Sequence, residues 1–106
     1  MIPRRLRLSR AQFAHRTNGK RAESAHFSVT YRAAPGQGGC SSVISKKVAK
    51  RAVDRHLLKR RMNTVLLPWC SPTRSIVVYA RAGSLALTFR ALNEELTGLL
   101  RRTIGR

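Results

Sequence analysis

The 106-residue sequence predicts a single α/β (α+β) domain, residues 1–106, built as a two-layer sandwich with helices packed on a small mixed sheet. Three patterns predict this class. Polar and apolar residues alternate in one short segment, β-branched residues form an apolar run in another, and apolar residues recur at helical spacing in two longer ones. The predicted order of elements is α-β-β-α-β-α, and a hydrophobic content of 42% is enough for a packed core.

The first predicted helix covers residues 10–16, with Ser9 as its cap and Phe13 as its one large apolar side chain. Two strands follow at residues 25–33 and 41–45, joined by a turn rich in glycine, and we expect them to pair as an antiparallel hairpin. Alternation on the first strand places Phe27, Val29 and Tyr31 on one face and Ser28, Thr30 and Arg32 on the other.

The central helix is predicted over residues 46–67, and Pro68 ends it. Residues 74–80 are mostly apolar and β-branched, which predicts a central strand covered on both faces. Thr88 is the expected N-cap of the last helix, which carries Glu94 and Glu95 on its solvent side. The apolar stripes of the two helices consist of Leu58, Met62, Val65 and Leu66 in the central one, and Phe89, Leu92, Leu96, Leu99 and Leu100 in the last.

The charge balance points to a polyanionic partner. Lys and Arg number 22 against 4 Asp and Glu, which gives a net charge of +18. Self-repulsion of this size is tolerable where a polyanion neutralises it. A two-metal nuclease needs a cluster of carboxylates, but only Glu94 and Glu95 are adjacent, and neighbours on a helix do not face each other. We therefore expect that the polypeptide itself breaks no bond.

The cysteines and the termini exclude further classes. Cys40 and Cys70 lack the Cys-x-x-Cys spacing of a zinc site, and the N-terminus lacks the apolar core of a secretory signal. We therefore expect a cytoplasmic protein with both thiols reduced. No apolar run approaches the roughly 20 residues needed to cross a bilayer, so we expect no membrane partner.

Eight Lys or Arg residues lie between positions 46 and 61, offset only by Asp54. A charged helix face can simply be solvated, but this density exceeds what solubility requires, and we interpret it as phosphate contact. Arg51, Arg55 and Lys59 are four residues apart and would form one ridge. The term basic segment denotes the residues that we expect to contact RNA: Lys46, Lys47, Lys50, Arg51, Arg55, His56, Lys59 and Arg60.

Three aromatic residues lie in or next to basic stretches: Phe13, Phe27 and Tyr31. Single-stranded nucleic acid stacks its bases on such rings. The alternative for Phe13 and Phe27 is a place in the core. Tyr31 is better situated for exposure, because Arg32 follows it.

The stretch 45–60, SKKVAKRAVDRHLLKR, closely resembles the signature of the protein subunit of bacterial ribonuclease P, roughly S-K-K-x-G-x-A-V-x-R-N-R-x-K-R. The apolar strand that ends in Ala80-Arg81 and the Leu-rich last helix also resemble that family. Ala49 replaces the family's glycine, and His56 and Leu57 replace the second and third residues of its Arg-Asn-Arg. Thr17 stands where the family usually has a second aromatic residue.

The resemblance implies an α/β sandwich of the ribosomal-protein domain 2-like type, with a left-handed β-α-β crossover. It implies partners: a catalytic RNA subunit, which the basic segment would contact, and precursor tRNA, whose 5′ leader would lie in a cleft between the first helix and the sheet. Phe13, with Phe27 or Tyr31, would line that cleft. The RNA subunit would hold Mg²⁺ and perform the cleavage, and the protein would bind no cofactor.

Two other interpretations compete with this one. A non-catalytic RNA-binding protein of the ribosomal type would have the same basic face but no role in cleavage. A cationic membrane-active peptide is disfavoured, because the last helix has few cations before Arg101 and Arg102.

Overall fold

A computed structural model describes residues 20–33, 38–71 and 73–104. The predicted first helix, with Phe13, lies outside these residues, and so does Thr17. The described chain contains four strands and two α-helices: β1 (Lys20–Glu23), β2 (Phe27–Ala33), β3 (Gly39–Val43), α1 (Ala52–Leu66), β4 (Arg74–Ala80) and α2 (Phe89–Ile104). Short 3₁₀ turns follow α1 at Leu67–Trp69 and precede α2 at Ser84–Ala86.

The strands form one sheet in the order β1-β2-β4-β3. Strand β2 pairs antiparallel with both β1 and β4, and β3 pairs parallel with β4. The predicted hairpin of the second and third strands is therefore wrong. The short strand β1, which has no apolar alternation to reveal it, occupies the edge beside β2. The chain from β3 passes through α1 before it returns as β4, which makes a β-α-β crossover.

One face of the sheet packs against both helices and forms the core. The pairs Phe27–Ala80, Val29–Val78 and Tyr31–Ile76 lie side by side on this face. The predicted helix stripes fill the other side of the core, where Leu58, Met62 and Leu66 are fully buried. Phe89 departs from its predicted stripe, because it stands at the first turn of α2 and remains 42% exposed.

The beginning of α1 differs from the prediction. The helix starts at Ala52, and residues 46–48 form a turn in which the N–H groups of Val48 and Ala49 donate to the Ser45 carbonyl. The start of α2 agrees with the prediction, since the Thr88 hydroxyl accepts a hydrogen bond from the Ala91 N–H at 3.1 Å.

Cys40 and Cys70 form a disulfide, with their Cα atoms 5.6 Å apart. The expectation of two reduced thiols is therefore wrong for this structure. The crossover brings the chain after α1 back to β3, and this proximity cannot be deduced from a separation of 30 residues in sequence. Neither helix in the described part of the chain has the length and apolar character that a bilayer crossing requires.

Candidate nucleic-acid interface

The basic segment occupies the loop before α1 and the first turns of that helix. All its side chains are exposed except that of Arg55, which is half-buried. The loop contributes Lys46, Lys47, Lys50 and Arg51, and the helix contributes Arg55, His56, Lys59 and Arg60. The loop and the helix thus supply one group of basic side chains.

Arg55 joins these two units. Its Nη1 donates hydrogen bonds to the carbonyl oxygens of Ala49 at 3.0 Å and Lys50 at 2.8 Å. A guanidinium has five donor hydrogens, so these contacts leave others available for a phosphate. Arg55 therefore holds the cations of the loop beside those of the helix.

The N-terminus of α1 adds to the positive potential. Its N-cap residue, Arg51, has extended backbone angles and makes no side-chain capping hydrogen bond. The first N–H groups of a helix, together with its dipole, favour an anion at that end. Asp54 is the one acidic residue in the first turn. The surroundings suit a phosphate that approaches between the loop and the helix.

The predicted ridge of three cations is shorter in the structure. Arg51 precedes the helix, so only Arg55 and Lys59 stack at helical spacing. The next cation, Arg61, lies on another side, where its Nη1 donates to the Leu87 carbonyl at 3.3 Å. Arg61 therefore braces the loop before α2.

Two apolar side chains share the exposed side of α1 with these cations. Val53 is 67% exposed and Leu57 is 42% exposed. They are four residues apart and so lie one above the other on the helix. Composition and charge gave no indication of this apolar strip.

The sheet face opposite α1 and α2 forms a second candidate surface. A pocket of about 520 Å³ opens there, at the β1 side of the sheet. Alternation along the strands places polar side chains in it. Its lining consists of Arg21, Glu23, Ser28, Thr30, Tyr79 and Arg81.

Charged groups are already organised in this outer-face pocket. Glu23 forms ion pairs with Arg21 at 3.6 Å and with Arg81 at 3.2 Å. Arg81 Nη1 also donates to the Ser24 carbonyl at 3.1 Å. The Ser28 side chain is buried, and among the residues that the structure describes its hydroxyl has no hydrogen-bond partner. Since buried polar groups are normally paired, this hydroxyl is a candidate contact for a ligand.

The two aromatic residues predicted for a cleft on the sheet lie on the opposite face. Phe27 is fully buried, so its ring has no surface on which a base could stack, and we place it in the core. Tyr31 is half-buried and packs against the same core. The strand alternation was predicted correctly, but the face that meets the helices is the one that carries these rings.

A cluster of three side chains fastens the β1–β2 turn to α2. Glu95 Oε2 accepts hydrogen bonds from the Ser24 hydroxyl at 2.5 Å and from the His26 N–H at 2.8 Å, and Oε1 lies 2.8 Å from His26 Nδ1. Glu95 is thus half-buried and not on the solvent side as predicted. Burial raises the pKa of Glu95, but the hydrogen bonds from Ser24 and His26 outweigh burial and lower it.

This cluster contains the residue types of a hydrolase triad without its arrangement. A nucleophilic serine must contact the histidine that removes its proton. Here the Ser24 hydroxyl donates to Glu95 instead. Within the part of the chain that the structure describes, no group of three or more His, Cys, Asp or Glu residues could hold a metal ion.

Comparison with known proteins identifies similar chains. A family model described as Ribonuclease P matches residues 2–104. The ribonuclease P protein component of Synechococcus sp. (strain JA-2-3B'a(2-13)) is 30% identical over 110 residues, which cover 94% of this chain and 81% of that protein.

Two solved structures are also similar to this one. The RNase P protein from Thermotoga maritima aligns with a TM-score of 0.75 and 26% identity, over 94% of this chain and 97% of the other. The RNase P protein of Staphylococcus aureus aligns with a TM-score of 0.79 and 20% identity, over 92% of this chain and 94% of the other. The second likeness concerns the fold alone.

Proposed function

The chain belongs to the ribonuclease P protein family, and from this premise we propose that it binds the catalytic RNA of ribonuclease P and the 5′ leader of precursor tRNA. The reaction would be Mg²⁺-dependent endonucleolytic removal of the leader, with the RNA subunit as the catalyst and the holder of the metal. The observation that carries the proposal is the basic segment, whose side chains, all exposed except the half-buried Arg55, lie around the positive end of α1.

The basic segment would work by neutralising charge. Each lysine or arginine that meets a phosphate releases a condensed counterion, which favours binding at moderate salt. Arginine can also hold a phosphate through two parallel hydrogen bonds. Since a catalytic RNA and its substrate repel each other, cations at their junction would lower the Mg²⁺ concentration that the complex requires.

The outer-face pocket would receive the single-stranded leader. Arg21 and Arg81 supply positive charge in its lining, and the Ser28 hydroxyl, which has no hydrogen-bond partner among the described residues, supplies a hydrogen-bonding group. Mature tRNA has no leader, so this contact would distinguish precursor from product. It replaces the contact with Phe27 or Tyr31 that the sequence suggested.

Reconstitution tests the proposal. The protein is mixed with a bacterial ribonuclease P RNA and precursor tRNA at low Mg²⁺, and release of the 5′ leader is measured. The protein should increase the rate of release, while the protein without RNA should release nothing. Unchanged release by a protein that still binds the RNA would reject the proposal in favour of a ribosomal-type RNA-binding role.

Substitution at the pocket tests the leader contact. Arg21→Ala should weaken binding of precursor tRNA more than binding of mature tRNA, because only the precursor reaches this pocket. Arg90→Ala is the matched control, since Arg90 is exposed and its one ion-pair partner within the described ranges is Glu94 in the next helical turn. Equal losses of affinity for precursor and mature tRNA would show that the leader does not bind this face.

A further inference from the structure

A groove between the C-terminal end of α1 and the outer side of α2 is not used by either proposed RNA contact. Its volume is about 420 Å³. Both helices and the 3₁₀ turn after α1 contribute to its walls. Its polar and aromatic lining consists of Thr64, Trp69, Asn93, Thr97 and Arg101, and Val65 and Pro68 complete it.

Trp69 gives the groove a flat aromatic wall. The indole is half-buried and packs against the hydrophobic core, while the residue also lines the groove. Its backbone is fixed, because the Trp69 carbonyl accepts a hydrogen bond from Arg74 Nε at 2.9 Å. Because the indole itself packs against the core, it loses little conformational entropy when a second flat group stacks on it.

The polar side chains around the indole suit the edge of a base. Thr97 Oγ1 donates to Asn93 Oδ1 at 3.3 Å, which directs the amide group of Asn93 and leaves its NH₂ as a donor. Asn93 is exposed and lies one turn from Thr97 on α2. An amide donor beside an aromatic wall can recognise the acceptor atoms of a nucleobase.

Arg101 supplies the charge. It is exposed in the last turn of α2, and none of the ion pairs within the described residues involves it. The groove also adjoins the basic segment, because the Thr64 hydroxyl donates to the Arg60 carbonyl one helical turn away. A negatively charged chain that lies on Arg60 can therefore continue into the groove.

From these features we propose that the groove binds one unstacked nucleotide of single-stranded RNA, with its base against Trp69 and its phosphate on Arg101. The inference rests on the proposed function in one respect, since it takes RNA as the partner. It adds a base-contacting site to a surface whose other contacts are to phosphates. The base-contacting ring thus belongs to Trp69, at the end of α1.

The chain contains a single tryptophan, so intrinsic tryptophan fluorescence reports on this groove alone. The full protein is titrated at low salt with hexaadenylate and, separately, with an abasic ribose-phosphate oligomer of equal length and charge. Total binding of each oligomer is measured by fluorescence anisotropy in parallel. Both oligomers should bind, but only hexaadenylate should quench Trp69, because only a base can stack on the indole.

Two arginine variants distinguish binding in the groove from general attraction between the positively charged protein and the oligomer. Arg101→Ala should weaken the quenching titration about tenfold, the loss expected for one charged hydrogen bond. Arg102→Ala removes the same charge from the next residue of α2, which does not line the groove, and should weaken the titration less than about twofold. Both side chains are exposed, so neither substitution threatens folding.

The outcomes distinguish this inference from the proposed function. Binding of hexaadenylate without quenching, equal quenching by the abasic oligomer, or equal losses in the two arginine variants would each overturn the groove as a base site and leave the proposed function intact. Failure of both oligomers to bind would reject the proposed function as well.

Discussion

The first turns of α1, residues 52–57, bury no side chain, whereas residues 58–66 bury Leu58, Met62, Val65 and Leu66. The first part carries cations and the exposed Val53 and Leu57. The second part packs against the sheet and α2. A substitution in the second part should therefore change the free energy of unfolding, and one in the first part should change RNA affinity.

The largest expected effect is that of Leu58→Ala. Leu58 is fully buried, and removal of its side chain leaves a cavity in the core. The free energy of unfolding should fall by about 3–5 kcal/mol, measured by urea denaturation. Leu57→Ala, one residue earlier and 42% exposed, is the control and should cost less than about 1 kcal/mol. Equal losses would contradict the division of α1 into two functional parts.

Reduction of the disulfide should have the next largest effect. Cys70 follows the 3₁₀ turn after α1, and its bond to Cys40 of β3 fastens the buried end of the helix. The bond closes a loop of 30 residues, so reduction should lower the free energy of unfolding by about 3.6 kcal/mol. Urea denaturation with and without a reducing agent measures this. Identical curves would show that the bond contributes no stability.

A smaller, pH-dependent effect is expected at Glu95, which anchors the turn at the edge of the outer-face pocket. Its pKa is lowered from 4.5 in the folded protein, so its contribution to stability is present above pH 4.5 and is lost as the pH falls below that value. Below pH 4.5, the thermal unfolding temperature of Glu95→Gln should therefore fall less with decreasing pH than that of the wild type. Parallel pH profiles would contradict this assignment.

The sequence predicted elements whose patterns are local. Strand β2 and both helix stripes follow from alternation and helical spacing, because one face of each is buried, whereas β4 follows from its apolar run, because it is buried on both faces. Strand β1 escaped prediction because Lys20–Glu23 has no apolar alternation. The sheet order was missed because the pairing of β2 with β4 depends on contacts between distant parts of the chain.

The sequence predicted which residues belong to the candidate site better than it predicted how those residues are arranged in space. The residues of the basic segment follow from charge alone, but the start of α1 does not, because residues 46–51 include strong helix formers. The Arg55 contacts to two loop carbonyls show how the structure holds these residues outside the helix. Alternation separates the apolar face of β2 from its polar face, but it does not show whether helices or a ligand cover the apolar face.

The most direct test of the account uses Lys59→Ala combined with Arg60→Ala. Both side chains are exposed, so the free energy of unfolding should change by less than about 0.5 kcal/mol. The affinity for ribonuclease P RNA is measured over a range of salt concentrations. The slope of log affinity against log salt should decrease by about 0.7–0.9 for each lost phosphate contact, while Arg90→Ala leaves it unchanged. A double variant with the wild-type slope would contradict the claim that the basic segment binds RNA phosphates.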